Sequence, residues 1–276
     1  LLALEQVQHA NLAALLAGAA LLAAGLISLG LLIRQEKRAA SPLIPLGLLK
    51  QPAIWRSDAL AACHGAALVS LITFLPVYLE VVRGTSPSGT GLLLVPLTVG
   101  IGFGSLVTGR LVNHTGRTTL FPIFGLALVT LNFVVLALWA SQLSTAALAG
   151  LMLWNGVFMG TVMGVVQVTV QSAAGTLRLG EAAASVQFSR SIGAAFGTAL
   201  VATLLFAVLA IRNPEAARIF AAIIEHARHL DNGFSPAQRA AVLDDIVVAF
   251  RAAFLLMAAF TAGGFFLALT NPLRRI

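Results

Sequence analysis

The chain has 276 residues, of which 59% are hydrophobic and only 10% charged, with a net charge of +7 and a mean hydropathy of +0.95. An average soluble domain carries roughly 25% charged residues, so a water-soluble enzyme, a disordered chain and a coiled coil are excluded. The 17 Lys and Arg residues sit mostly in short stretches between apolar runs, the pattern of membrane orientation rather than of a nucleic-acid surface.

Seven apolar segments follow one another, at about 11–33, 57–82, 89–109, 119–140, 145–171, 184–211 and 248–270. A span takes about 20 apolar residues, and lipid offers the backbone no hydrogen-bond partner, so runs of this length must be helices. The expected fold class is an all-α membrane protein with seven transmembrane helices. The chain opens on Leu1 with no charged n-region before its first apolar run. No signal peptide is read there, and the C-terminal part of a longer protein is expected.

Three units are expected. Residues 1–33 hold an N-terminal segment and the first helix. Residues 34–56, with Ser41-Pro42-Leu43-Ile44-Pro45, form a linker. Residues 57–276 carry the other six helices and a long loop at 212–247. In that loop Ile219, Ile223, Ile224 and Leu230 recur at roughly helical spacing among Glu and Arg. This is the pattern either of an amphipathic surface helix or of an ordinary solvated loop helix.

Positive charge sets the orientation. One set of connections holds Arg34, Lys37, Arg38, Lys50, Arg56, Arg110, Arg117, Arg178, Arg274 and Arg275. The opposite set holds Arg83 and, in the long loop, Arg212, Arg218, Arg228 and Arg239 offset by acids. Long loops weigh little in this rule, so the first set is expected in the cytoplasm. The N-terminus of the segment would be outside and the C-terminus inside.

Inside the membrane, small residues come first. Gly156, Gly160 and Gly164 form a stripe in the fifth segment, and Gly193 and Gly197 repeat the spacing in the sixth. Such stripes let helix backbones approach closely. Gly100, Gly102 and Gly104 crowd the third segment.

Polar residues come second. His64 lies nine residues beyond Trp55, about 14 Å along a helix, near the bilayer middle. It titrates near neutral pH, so it either carries a proton or bridges helices as a neutral donor. Arg190, with Gln187 one turn before it, stands two turns into the sixth segment, where a guanidinium costs about 2.5–3.5 kcal/mol to insert. Asn155 and Gln167 lie on the fifth segment and Asn132 on the fourth; such amides line a cavity or bridge helices. Asp58 and Glu80, at the two ends of the second segment, are expected to reach interfacial water.

Several chemistries are missing. Neither Lys37 nor Lys50 lies in a span, no HExxH or P-loop occurs, and the single Cys63 lies in an apolar run. No disulfide framework is expected. No catalytic residue, metal site or cofactor is assigned, and an enzyme is not expected.

One connection has an informative spelling: Gly109-Arg110-Leu111-Val112-Asn113-His114-Thr115-Gly116-Arg117-Thr118. It resembles the loop signature of the major facilitator superfamily, Gly-x-Leu-x-Asp-Arg-x-Gly-Arg-Arg, with Gly109, Leu111, Gly116 and Arg117 matching. Asn113 replaces the Asp and His114 the first Arg. Pro42 to Leu49, Leu75 to Pro87, Gly91 to Pro96 and Ser189 to Gly197 are similar to the fourteen-span drug:proton antiporters of that superfamily. The resemblance implies that the first helix is a linker helix and that the other six form the C-terminal half of a major facilitator fold. The N-terminal half of the same polypeptide would be the missing partner.

It also implies a proton-coupled multidrug efflux permease working by alternating access. Its partners would be the lipid bilayer, protons and small lipophilic, often cationic, substrates, with no nucleic acid. His64, Asn155, Gln167, Gln187 and Arg190 would line the substrate or proton pathway. Gly109, Asn113, Gly116 and Arg117 would form a cytoplasmic gate. A permease of the same fold for a sugar, a metabolite or a siderophore, and a non-transporting membrane scaffold, are the alternatives.

Overall fold

The structure is a computed structural model that describes residues 47–226 and 236–273, together with residues 27, 31, 34 and 35. Almost all of the expected span at 11–33, and most of the linker before Gly47, lie outside the described residues. After a 3-10 turn at Leu48–Lys50 come α1 (Pro52–Val81), α2 (Pro87–Thr115), α3 (Leu120–Trp139), α4 (Thr145–Ala174), α5 (Leu179–Arg212), α6 (Pro214–His226) and α7 (Pro236–Thr270). Six of them, all but α6, are long and apolar enough to cross a membrane.

Local chemistry sets the helix ends. Pro52 and Pro87 occupy first-turn positions, where a missing N–H costs nothing. The Ser86 hydroxyl accepts the Gly89 N–H at 3.3 Å, and the Ser144 hydroxyl accepts the Ala147 N–H at 3.2 Å. Gly116 ends α2 in the left-handed region with φ 64°, its N–H donating to Val112 O at 2.8 Å. Only glycine takes that conformation without steric cost, which accounts for Gly116 in the α2–α3 connection. At the far end, the Arg83 guanidinium donates to Ala140 O at 3.1 Å and Leu143 O at 2.7 Å, tying the α1–α2 turn to the α3–α4 turn.

The closest helix pairs meet at glycine. A Cβ at Gly156 would meet the backbone of Leu97 and Gly100, and one at Gly160 would meet Ile101 O and Ser105 N. Gly100 and Gly104 answer them from α2 against Leu153, Val157 and Gly156. A Cβ at Gly164 would lie 3.6 Å from the Ser105 hydroxyl, an ordinary contact, so the close approach ends at Gly160. Gly102 faces open space. The α1–α5 pair is built the same way: Gly193 lies on Ala62, Gly197 on Ala66, and Gly65 on the backbone of Arg190. Small residues at 3–4-residue spacing let backbones touch where lipid supplies no hydrophobic drive.

Two apolar clusters fill the bundle. At the end holding Arg83, the Tyr78 ring meets Phe250 at 5.2 Å and Phe254 at 5.6 Å, edge to face, and Phe220 meets Phe250 at 6.0 Å. At the opposite end Leu48, Ile54, Leu60, Val166, Val170, Ala182, Val186 and Ala268 pack together.

Residues 212–247 differ from the expected loop. Helix α6 occupies Pro214–His226 and α7 already begins at Pro236. Ala216 and Phe220 are buried, with Ile219 and Ile223 packed against the same core, while Ile224 is exposed. The apolar stripe at 216, 219, 220 and 223 follows the helical period and covers the bundle end. Asp244 and Asp245 therefore sit on a helix. Asp245 accepts from the Arg212 guanidinium at 2.9 Å and from the Asn213 amide at 3.2 Å. Residues 227–235, Leu230 among them, lie outside the described residues.

Candidate functional site

His64 lies on α1, twelve residues from its start, and is 1% exposed. Its Nε2 is 3.1 Å from Met159 O of α4. A carbonyl only accepts, so Nε2 carries the hydrogen and the ring joins α1 to α4. Nδ1 has no partner among the described residues. The Arg190 side chain of α5 stands close enough to interact with the ring electrostatically. Gly65 makes this possible, because any side chain there would strike the Arg190 backbone.

Arg190 stands farther from its helix start than the apolar run implied. Helix α5 begins at Leu179 rather than at 184, so Arg190 stands three turns from the helix start, about 16 Å. Its Nη1 donates to the Gln187 side chain at 3.2 Å, and its buried Nε has no partner among the described residues. Gln187 itself is exposed on the bundle surface. Gln167 is half-buried on α4.

Asn155 is 0% exposed and donates to the Asn132 side chain at 3.4 Å, while the Asn132 amide donates to Leu151 O at 3.0 Å. The pair ties α3 to α4 inside the core. The structure thus brings His64, Arg190 and Gln187 together, while Asn155 pairs with Asn132 one turn before Met159 on α4. Among the described residues, one crevice opens at a bundle end by Tyr78, Leu136 and Arg251, and another at the opposite end by Ser57, Thr118, Thr169 and Asn271. None of these five polar residues lines either crevice.

The α2–α3 connection leaves its signature residues in the open. Asn113 and Arg117 are exposed, and among the described residues no acid pairs with Arg117. Gly109 faces open space. The bonds that hold this connection come from the next residues: Thr118 and Thr119 donate to Leu273 O at 3.1 and 3.3 Å.

Asp58 corrects a further expectation. It is 3% exposed and does not reach interfacial water within this bundle. The reason is packing: Asp58 stands six residues, about 9 Å, along α1, where Ser185 of α5 reaches it and the 3-10 turn and the end of α7 close the same end of the bundle. Around it lie groups that sequence reasoning missed. The Asn271 amide donates to the Ser57 hydroxyl at 2.9 Å and to Ala53 O at 3.4 Å. The Arg56 guanidinium donates to Thr270 O. The Ser185 hydroxyl is 3.4 Å from Asp58 Oδ1. These partners come from chain positions more than a hundred residues away, where no local spacing could point to them.

What remains uncovered is also informative. Leu92, Val95, Val99, Phe103 and Leu106 of α2 and Phe188, Phe196 and Leu200 of α5 are exposed apolar side chains at helical spacing. In water such faces would drive aggregation; on a helix that crosses a membrane they suit lipid or another helix.

Comparison with known proteins supplies the family. The description Major Facilitator Superfamily fits residues 9–198. The chain is 32% identical over 195 residues to an uncharacterised MFS-type transporter of Mycobacterium tuberculosis, covering 71% of this chain and 28% of that protein. It is 28% identical over 193 residues to a tetracycline resistance determinant of Streptomyces rimosus, covering 70% of this chain and 56% of that protein. It is 27% identical over 205 residues to the multidrug efflux pump LfrA of Mycolicibacterium smegmatis, covering 74% of this chain and 40% of the pump. The chain spans between about a quarter and just over half of the length of these relatives. An all-helical bundle with six helices fit to cross a membrane, glycine-packed in pairs, and a match over residues 9–198 lead to one conclusion: the chain belongs to the major facilitator superfamily.

Proposed function

We propose that this chain is the C-terminal portion of an efflux permease that exchanges protons for small lipophilic molecules by alternating access. Its place would be the bacterial inner membrane, with the α2–α3 connection in the cytoplasm and α6 outside. The observation that carries this reading is the uncovered pair of apolar faces on α2 and α5, beside which Gln187 and Arg190 come to the surface. A second six-helix half laid against those faces would enclose Arg190 and Gln187 at mid-membrane, where permeases of two repeats hold substrate. Relatives named as a multidrug efflux pump and a tetracycline resistance determinant support efflux of drug-like molecules.

In this reading Gln167, Gln187 and Arg190 face the cavity. His64 and Asn155 fix α1 and α3 against α4. Gly109, Asn113, Gly116 and Arg117 form the cytoplasmic gate, with Asn113 and Arg117 free to meet the other half. The glycine contacts at Gly156, Gly160, Gly193 and Gly197 keep each helix pair rigid while the two halves rock.

The test is dye accumulation in cells that lack their own efflux pumps and express the full polypeptide carrying this chain. Energised cells should hold several-fold less of a lipophilic fluorescent dye than control cells, and a protonophore should abolish the difference. Equal accumulation with a lipophilic cation and a lipophilic anion alike would overturn efflux.

A further inference from the structure

Asp58 has a hydrogen-bonding arithmetic that its neighbours do not balance. A serine hydroxyl carries one hydrogen. The Ser185 hydroxyl lies 3.0 Å from Ala182 O and 3.4 Å from Asp58 Oδ1. That one hydrogen points mainly to the nearer Ala182 O, so the Asp58 carboxyl receives at most a weak, shared bond from Ser185. Asp58 Oδ2 is buried with no partner among the described residues. An ionised carboxylate left dry and unpaired is the costly alternative.

No cation offsets that cost. The elements packed at this end bring Leu48 from the 3-10 turn, Ala182, Ser185 and Val186 from α5, and Ala268 and Asn271 from α7 and its exit, and none of these is charged. Arg56, on the same helix, spends its guanidinium on Thr270 O. Arg178 and Glu181 at the start of α5, and Lys50 before α1, are exposed. Among the described residues no charged side chain acts on Asp58.

The same end is closed by a set of uncharged bonds. Asn271 to Ser57 and Ala53, and Thr118 and Thr119 to Leu273, draw the exit of α7 over the starts of α1 and α3. Loosening them would admit water to Asp58, and water favours the ionised form.

We propose that Asp58 is a proton-binding site of this half, protonated while the end is closed and releasing its proton to cytoplasmic water when the end hydrates. The carboxyl O–H bond breaks, the proton passes to water, and a carboxylate remains until the end closes again. A group whose proton affinity differs between two conformations couples protons to the change between them. The inference rests on the proposed permease and names the residue in this half that would serve its proton exchange.

The test uses the full polypeptide in lipid vesicles, with two readouts. Infrared spectra at neutral pH should contain a protonated-carboxyl C=O band that is absent in Asp58→Asn and shifted, not lost, in Ser185→Ala. Addition of ethidium should release protons from the wild type, and Asp58→Asn should release at least ten-fold fewer while still binding the dye. A spectrum without that band, or an Asp58→Asn variant that keeps either the band or wild-type proton release, overturns the inference while leaving the permease reading intact. A wild type that shows the band but transports no substrate overturns the permease reading and leaves Asp58 a proton-binding site. Should Asp58→Asn fail to fold, the band shift in Ser185→Ala decides the assignment, and an unshifted band overturns it.

Discussion

His64 and Met159 join two helices that are far apart in the chain: the imidazole Nε2 stands 3.1 Å from the Met159 carbonyl oxygen, and the ring is almost wholly buried. The bond fixes the tautomer and explains why a histidine stands at mid-helix. Its removal should cost about 1 kcal/mol, the net value of a typical hydrogen bond. His64→Leu should therefore melt a few degrees lower in detergent. His64→Gln, which retains a donor, should recover part of the loss. Because the ring is occupied as a bridge, His64→Gln should leave the pH profile of substrate-driven proton release unchanged. A displaced profile would return His64 to the proton route.

Gly160 makes a second prediction. The Ile101 carbonyl and the Ser105 nitrogen occupy the space that a side chain would need. Overpacking of this kind costs about 1–3 kcal/mol or more when backbone must move. Gly160→Leu should lower yield and thermal stability, whereas Gly164→Ala, whose Cβ would sit at an ordinary 3.6 Å from the Ser105 hydroxyl, should be tolerated. Equal stability of the two variants would show that α2 and α4 do not meet at Gly160.

Arg190 separates insertion from use. Neutralising it removes an insertion cost of about 2.5–3.5 kcal/mol, so Arg190→Gln should reach the membrane in at least wild-type amount. It should nonetheless lose efflux, because the guanidinium and Gln187 form the polar surface of the proposed cavity. Dye accumulation and membrane yield measured on the same cells check both halves, and wild-type efflux would remove Arg190 from the cavity.

Orientation is tested with single cysteines in a Cys63→Ala background. Gln142, in the exposed α3–α4 connection, and Thr115, at the exposed end of α2, lie at opposite ends of the bundle. Cysteine at Gln142 should react with an impermeant thiol reagent in intact cells, and cysteine at Thr115 should not. The reverse pattern would invert the topology.

The helices and their packing faces were legible because lipid imposes long apolar runs and because glycine stripes have a fixed spacing. Gly156, Gly160, Gly193 and Gly197 could be named from spacing alone. Helix ends were harder. The polar starts of α1 at Pro52 and α5 at Leu179 lie outside the apolar runs, so Asp58 and Arg190 stand farther from their helix starts than those runs indicate. The helical spacing of α6 is legible, but not the face it covers, since a short amphipathic stripe among charges reads alike whether it meets solvent, lipid or protein. The bonds from Asn271 to Ser57 and from Thr118 to Leu273 join distant chain segments, and no local pattern announces them.

Proton exchange should drive the movement of substrate, and one flux measurement reads it directly. The full polypeptide is reconstituted in sealed vesicles, a pH difference is imposed across the membrane, and the distribution of a lipophilic fluorescent dye is followed in time. Dye should accumulate on the side with more protons, the gradient of dye collapsing when a protonophore dissipates the pH difference and absent from vesicles carrying Arg190→Gln. Dye movement that is the same with and without the pH difference, in protein-containing and empty vesicles alike, would contradict proton-driven movement.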